Sequence, residues 1–250
     1  MTSPHPGTPA PAVLRAAEIL EVIAGQPDAF PRVSEIARVT GIPHSSVTNI
    51  LAALVETGLA RRTGAGFSIG PSVVEFASVF LRSDDPVQRF RDFVPTMETL
   101  ADETAQLGTL DGGDVLFLAR HDGTQPIALT SGVGKRLPAS STAIGKAMLA
   151  QLDPAELAAI MTDPLPRLTE RSHPTLASLS EDLAVTRERG HAFDDEEAAP
   201  NVVCIAVAVE TPDDAPRYAV STTIFKDRLT PDLGERLVAD LTRVVSYLGK

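Results

Sequence analysis

Three groups of side chains in this 250-residue chain have types and spacings that could do chemistry. The first is Gly132–Ala150, GVGKRLPASSTAIGKAMLA, a glycine- and hydroxyl-rich loop feeding a helix that starts near Thr142. A helix start gathers free backbone N–H groups and partial positive charge, which suit carboxylates or phosphates. Gly145 leaves room for another chain or a ligand to come close. The same spacing equally describes an ordinary helix capped by Ser140 or Ser141, and the residues alone leave both readings open. It is no nucleotide-binding P-loop, because neither Gly-Lys pair has the required upstream glycine or a following Ser or Thr. The second group lies in Gly190–Val209, GHAFDDEEAAPNVVCIAVAV, where four consecutive acids precede a strongly apolar strand. Such a run suits a solvated loop, yet Asp194 directly follows the alternating start Ala192-Phe193 and can also point inward. Cys204 reads as a small buried apolar side chain. A catalytic thiolate would need a basic neighbour, and the sequence offers no His partner nearby. With no GxSxG, HExxH or CxxC, no catalytic residue, metal ligand set or cofactor is expected.

The third group is polar and positive: Ser45, Ser46, Thr48 and Asn49, with His44 ahead of them and Arg38, Arg61 and Arg62 on either side. The elements that must position it run from Val33 to Gly70. Val33, Ile36, Ala37 and Val39 give an apolar stripe to one helix, with Ser34 as its expected cap. Thr40-Gly41-Ile42-Pro43 stops it, since Gly41 suits a left-handed C-terminal position and Pro43 the first turn of a new helix. Val47, Ile50, Leu51, Leu54 and Val55 recur at helical spacing and leave the small polar residues outside. Gly64-Ala65-Gly66 then separates Ala60–Arg62 from Phe67–Ile69 as a hairpin turn separates short strands. Helix, turn, helix and wing form a DNA-reading module whose second helix enters the major groove.

Around this module the chain is ordinary for a folded protein, with 43% hydrophobic residues, one cysteine and a net charge of −11. The single cysteine excludes an intramolecular disulfide framework and fits a reducing cytoplasm. There is no bilayer-length apolar run and no basic-then-apolar leader, so no membrane partner is expected. The acidity is unevenly placed. Residues 1–83 carry six Arg, no Lys and six acids, whereas residues 84–250 carry 16 Lys or Arg against 27 acids. A neutral reading module binds DNA weakly alone, and pairing two copies is the usual remedy. Residues 1–9 read as a disordered Pro-rich tail. Residues 12–24 form an amphipathic helix through Val13, Leu14, Ala17, Leu20 and Ile23. Residues 71–83 form a linker helix whose Val74, Ala77, Phe80 and Leu81 could pair with a second copy. Beyond it come a helical stretch at 87–104 interrupted by Pro95, and strands at 106–110, 115–121, 125–131, 192–193, 202–210 and 218–224. Helices fall at 142–151, 154–161, 176–189 and 231–248. Hairpin-linked strands with intervening helices predict an α+β domain with an antiparallel sheet and flanking helices.

The helix LRAAEILEVIA, the module SEIARVTGIPHSSVTNILAALVETGLARR, the segment LPASSTAIGKAMLA and GHAFDDEEAAPNVVCIAVAV, in that order, together resemble the IclR family of bacterial transcriptional regulators. The resemblance covers about residues 10–248. It implies a winged helix-turn-helix domain at 10–70, a linker helix at 71–83 and a GAF-like effector-binding domain at 84–250. It also implies a homodimer or dimer of dimers that binds operator DNA. A small-molecule effector, a carboxylic acid or related metabolite, would modulate that binding, with repression the expected sign.

The family's pocket carries over onto Thr142 with the Ala143 and Ile144 amides, Asp194, Cys204, Ser221 and Thr223. Asp194 would repel a carboxylate, so it is expected to accept a hydrogen bond from a ligand hydroxyl or amide. Two departures stand out. Pro200-Asn201 replaces a glycine that commonly follows the acidic run, and Asn49 stands where members often carry Arg. Arg61 and Arg62, helped by Arg38 and Arg15, must then supply most phosphate attraction. The alternatives are an enzyme acting on a small acid, or a helix-turn-helix module that binds protein.

Overall fold

The computed structural model describes residues 10–26, 29–83, 85–124, 131–210 and 218–250. The chain divides into two compact units that adjoin in sequence at Phe80 and Leu81.

The first unit contains α1 (Pro11–Ala24), α2 (Val33–Thr40), α3 (His44–Glu56) and an antiparallel hairpin of β1 (Ala60–Arg62) and β2 (Phe67–Ile69). The boundary between the units falls inside α4 (Ser72–Ser83). Gly41 ends α2 with φ +69°, the left-handed conformation that glycine adopts without a steric penalty. Pro43 sits just before α3 with φ −53° rather than within its first turn. The start of α2 corrects the expected cap. Arg32 takes that place, its backbone N–H donating to Glu35 Oε2 at 2.7 Å, and Ser34 lies inside the helix.

Ile19, Ile23, Ile36, Val47, Leu51 and Leu54 make the core. Each such side chain removed from water contributes about 1.5–3 kcal/mol. Of the face expected for α1, Leu20 and Ile23 turn inward together with Ala16 and Ile19, whereas Val13, Leu14 and Ala17 are exposed. Leu-rich helices offer two apolar faces, and only contact with α2 and α3 chooses between them. At the hairpin tip, a Cβ on Gly66 would lie 1.9 Å from the Phe30 carbonyl oxygen, so only glycine fits. Next to it the Phe67 N–H donates to the Pro31 carbonyl at 3.1 Å, tying the wing to the start of α2.

The second unit runs α5 (Asp85–Phe93), β3 (Thr104–Asp111), β4 (Asp114–His121), β5 (Arg136–Pro138), α6 (Ala143–Leu149), α7 (Pro154–Ile160), α8 (Leu176–Arg189), β6 (Ala192–Asp195), β7 (Val202–Ala208), β8 (Tyr218–Phe225) and α9 (Pro231–Leu248). Its sheet has the order β5-β4-β3-β8-β7-β6, with every neighbour antiparallel. Strand alternation sorts side chains onto two faces. On β7, Val203, Ile205 and Val207 join the core shared with α5 and α9, while Cys204, Ala206 and Ala208 face the core shared with α6 and α8. Helices thus cover both faces.

Pro95 limits the expected helix at 87–104, which ends at Phe93 and continues as two short 3-10 turns. The edge strand β5 is a finding: the sequence predicts only loop there. Of the strand expected at 125–131, residues 125–130 lie outside the described residues, and Ser131 is not in a strand. The tail at 1–9 also lies outside them.

Candidate functional site

The start of α6 is built around Thr142. A single 3-10 turn, Ala139–Ser141, leads into it, and Thr142 takes extended backbone angles. Its Oγ1 accepts from the Gly145 N–H at 3.1 Å, and its carbonyl accepts from the Lys146 N–H at 2.9 Å. Thr142, rather than Ser140 or Ser141, is therefore the N-cap. The Ala143 and Ile144 amides precede the first of these bonds, so the helix itself closes no hydrogen bond on them. Gly145 is needed for the chain's own packing, since a Cβ there would lie 2.2 Å from the Ala139 carbonyl oxygen.

Opposite this start stand β8, β7 and β6 in register. Thr223 pairs with Cys204, and Cys204 with Asp194, so the three form one row across the sheet. Ser221 lies two residues from Thr223 on the same face and pairs with Gln106 of β3. The result is one cavity of about 40 Å³, walled by Thr142, Ala143, Ile144, Asp194, Cys204, Ser221 and Thr223. These are the seven residues expected of an effector site. Gln106 and Ser131 complete the polar wall, and Phe117, Leu137 and Val202 supply apolar surface. By comparison, an open groove of about 660 Å³ between α6, α8 and α9 collects none of the seven.

Asp194 points inward and is 1% exposed, as its place after the alternating start Ala192-Phe193 allowed, and Glu197 is buried too, so the acidic run is not wholly a solvated loop. Its Oδ1 accepts from the Glu197 N–H at 2.7 Å and the Ala198 N–H at 3.3 Å. Burial, reinforced by the nearby Glu197 charge, pushes its pKa up to about 7. Burial and Asp194 likewise raise the Cys204 thiol well above its usual range, and its Sγ lies 3.4 Å from Thr223 Oγ1. A thiol held neutral is a weak donor rather than a nucleophile. After the acidic run, Asn201 takes φ +62°, the conformation a glycine would adopt and one that Asn tolerates.

Behind this wall lies a group of charges that sequence patterns do not foretell. Lys146 is fully buried, and its Nζ donates to Glu197 Oε1 at 2.5 Å and the Phe193 carbonyl at 2.6 Å, with Asp182 Oδ2 at 2.8 Å. His173 Nε2 lies 3.7 Å from Asp182 and 3.6 Å from Glu197. Burial acts to raise the Asp182 pKa, but nearby His173 and the Lys146 charge outweigh it and hold it at about 2. His173, Asp182 and Glu197 bring ligand-capable atoms within 4.8 Å of one another. The Lys146 ammonium already serves as their cation. No motif announces this cluster, because a lysine after glycine reads as surface until the helix is seen buried all round.

In the first unit, Ser45, Thr48 and Asn49 lie exposed on α3 and Ser46 is half-buried. The Thr48 hydroxyl donates to the His44 carbonyl at 2.9 Å, which leaves it only as an acceptor. Arg61 and Arg62 are both exposed but are adjacent in β1, so they project from opposite faces of the hairpin. Arg61 Nε donates to Ser68 Oγ at 3.2 Å. Arg62 lies 6.0 Å from the Phe67 ring centre and lines a groove with His44, Arg32 and the Gly64–Gly66 tip. Arg32 is a cation that the sequence reading passed over; its Nε donates to the Ala65 carbonyl at 3.1 Å. Arg38, exposed on α2, does not line this groove.

Comparison with known proteins bears on the fold and the family. The profile described as the bacterial transcriptional regulator IclR C-terminal matches residues 80–248, and that of the IclR helix-turn-helix domain matches residues 12–64. The HTH-type transcriptional regulator BhcR of Paracoccus denitrificans is 32% identical over 201 residues, covering 79% of this chain and 71% of that protein. The repressor BlcR of Agrobacterium tumefaciens superposes with a TM-score of 0.60 at 31% identity, covering 96% of this chain and 98% of that one. An IclR homolog of Microbacterium hydrocarbonoxydans, solved in complex with 4-hydroxybenzoate, gives a TM-score of 0.76 at 22% identity over 95% and 98% of the two chains. The winged module, the two-faced antiparallel sheet and both profile matches lead to one conclusion: this chain belongs to the IclR family and is a DNA-binding transcriptional regulator.

Proposed function

We propose that this regulator is a repressor whose operator binding is altered by a small carboxylic acid held between α6 and the sheet of the second unit. The observation that carries this reading is the gathering of Thr142, Ala143, Ile144, Asp194, Cys204, Ser221 and Thr223 around one cavity. The ligand carboxylate lies on the Ala143 and Ile144 amides, and Ser221 and Thr223 supply hydroxyls. Asp194, half protonated near neutrality, tolerates an anion and exchanges a hydrogen bond with a ligand hydroxyl or carbonyl. Repression is supported by the similar BlcR, a repressor, and an acid ligand by the 4-hydroxybenzoate complex of the Microbacterium homolog.

The DNA head comprises residues 10–70, with α3 in the major groove. Ser45, Ser46, Thr48 and Asn49 read base edges or nearby phosphates, while His44, Arg62, Arg38 and Arg32 engage the backbone, with a smaller contribution from Arg61 on the other face of the hairpin. Residues 71–83 act as the linker that carries the effector signal from residues 84–250. The protein works as a homodimer or dimer of dimers in the cytoplasm. Exposed Val13 and Leu14 of α1 and Val74, Phe76 and Val79 of α4 support pairing of heads, because water leaves so much apolar surface uncovered only at a cost. Among the described residues no helix is long and apolar enough to cross a membrane.

A thermal-shift screen of small carboxylic acids tests the pocket, since a true ligand stabilises the fold by mass action. An acid that raises the melting temperature of the native protein and weakens its hold on the DNA upstream of its own gene should lose about tenfold in affinity on Ser221→Ala. A Ser221→Ala protein with unchanged response would remove the cavity from the reading.

A further inference from the structure

Lys146 brings one positive charge to the two carboxylates behind the cavity wall, so with neutral His173 the cluster keeps one negative charge. The hydrogen bonds show where it is unmet. Glu197 turns Oε1 to the ammonium at 2.5 Å, whereas its Oε2 has no hydrogen-bond partner among the described residues, although Glu197 is only 6% exposed. A carboxylate oxygen buried without a partner is costly, and its persistence marks a place for an incoming cation. Oε2 faces His173, 3.6 Å from Nε2, and the same nitrogen lies 3.7 Å from Asp182 Oδ2. Ligands of a tetrahedral zinc ion, each roughly 2.1 Å from the metal, stand about 3.4 Å apart. Two edges of this triangle thus need to close by only a few tenths of an ångström, and the third is at most 4.8 Å. The side chains of His173 and Asp182 are 20% and 24% exposed, which gives an ion a way in and lets water complete its shell. One imidazole with two carboxylates suits zinc and its transition-metal neighbours, whereas magnesium and calcium favour oxygen alone. Lys146 leaves the place open, because Glu197 Oε1 and the Phe193 carbonyl at 2.6 Å hold its ammonium on the other edge of the Glu197 carboxylate. It shares only Asp182 Oδ2, at 2.8 Å, and its charge keeps the affinity for a divalent ion moderate.

We propose that His173, Asp182 and Glu197 form a binding site for a zinc-class transition ion behind the cavity wall. The three ligands come from the segment before α8, from α8 itself and from the segment between β6 and β7, and the ion clamps them together. The Glu197 N–H also donates to Asp194 Oδ1 at 2.7 Å, so the clamp steadies the stretch that carries Asp194 into the cavity. The site stands whichever molecule the cavity takes.

Metal-stripped full-length protein, titrated with zinc chloride by calorimetry, should bind one ion per chain and melt several degrees higher when saturated. Magnesium chloride should do neither. His173→Ala and Asp182→Asn should each weaken zinc binding about tenfold or more. Lys146→Met adds a readout that a purely structural cluster would not give. With the ammonium gone, zinc should bind tighter than to the native chain and restore part of the stability lost. Zinc held equally by the native protein, His173→Ala and Asp182→Asn would be an adventitious ion only, bound at other histidines, and would overturn the site. So would the absence of saturable binding, magnesium binding as tightly as zinc, or a zinc affinity that Lys146→Met leaves unchanged or lowers. Variants at three positions keep the test decisive if one of them does not fold.

Discussion

The outer face of α3 and the wall of the cavity are made of the same chemistry, small hydroxyls and amides, in opposite surroundings. On α3, Ser45, Thr48 and Asn49 stand in water, where an unpaired donor or acceptor is satisfied at no cost. In the cavity, Gln106, Asp194, Ser221 and Thr223 are all nearly fully buried, and each polar atom must find a partner. Polarity on the open face therefore says little about what binds it, and its affinity has to come from nearby arginines and from a second copy. Polarity in the closed site is informative, because every unpaired group marks a place for a ligand atom. The two faces should accordingly fail differently when altered.

The largest effect is expected behind the closed wall. Lys146→Met leaves buried Glu197 and half-buried Asp182 without their cation, and breaking a buried pair from one side costs about 3–5 kcal/mol. Urea denaturation at pH 7 should report that loss, shrinking as the pH falls toward the carboxylates' own range. A loss under about 1 kcal/mol would mean the cluster is solvated like the open face, and the contrast would collapse.

Next comes the pH dependence of the cavity. Asp194 titrates near 7 in the folded protein and near 3.8 when exposed in the unfolded chain. Between those values the folded state holds the extra proton, so stability falls as pH rises from about 4 to about 7 and then levels off. The decline is on the order of a few kcal/mol, and Asp194→Asn should flatten it. Carboxylate binding should follow the same proton, strongest below pH 7 and weakening above it, with Asp194→Asn insensitive to pH. Melting curves and calorimetry from pH 5 to 9 would check both. A native protein whose stability rises through that window would reverse the assignment.

The sequence made the elements of the first unit legible because its signals are local: Gly41, Pro43 and the Gly64–Gly66 turn each act within a few residues. The seven residues that the fold gathers in the cavity were marked by the family resemblance rather than by any local signal, and four of them lie on strands whose alternation fixes the face. What escaped the sequence depends on register and burial. Gln106 meets the cavity only because β3 pairs with β8 in one alignment, and Lys146 becomes a core residue only once α6 is covered by β7 and α8. The first turns of α1 were misjudged for a similar reason, since Leu20 and Ile23 meet the core while Val13, Leu14 and Ala17 do not, and only tertiary contact decides that.

The smallest predicted effect is the sharpest test of the open face. Arg61 and Arg62 are neighbours in sequence, yet alternation sends them to opposite sides of the hairpin, and only Arg62 shares the groove with His44 and Arg32. If that groove meets the DNA backbone, Arg62→Ala and Arg32→Ala should each lower the salt slope of operator binding by about one per head, with about tenfold weaker binding or less. Arg61→Ala, which also loses only an exposed contact to Ser68, should change the slope far less. Fluorescence anisotropy across a salt series separates the cases. Equal slopes for all three variants would mean that the wing grips DNA from both sides.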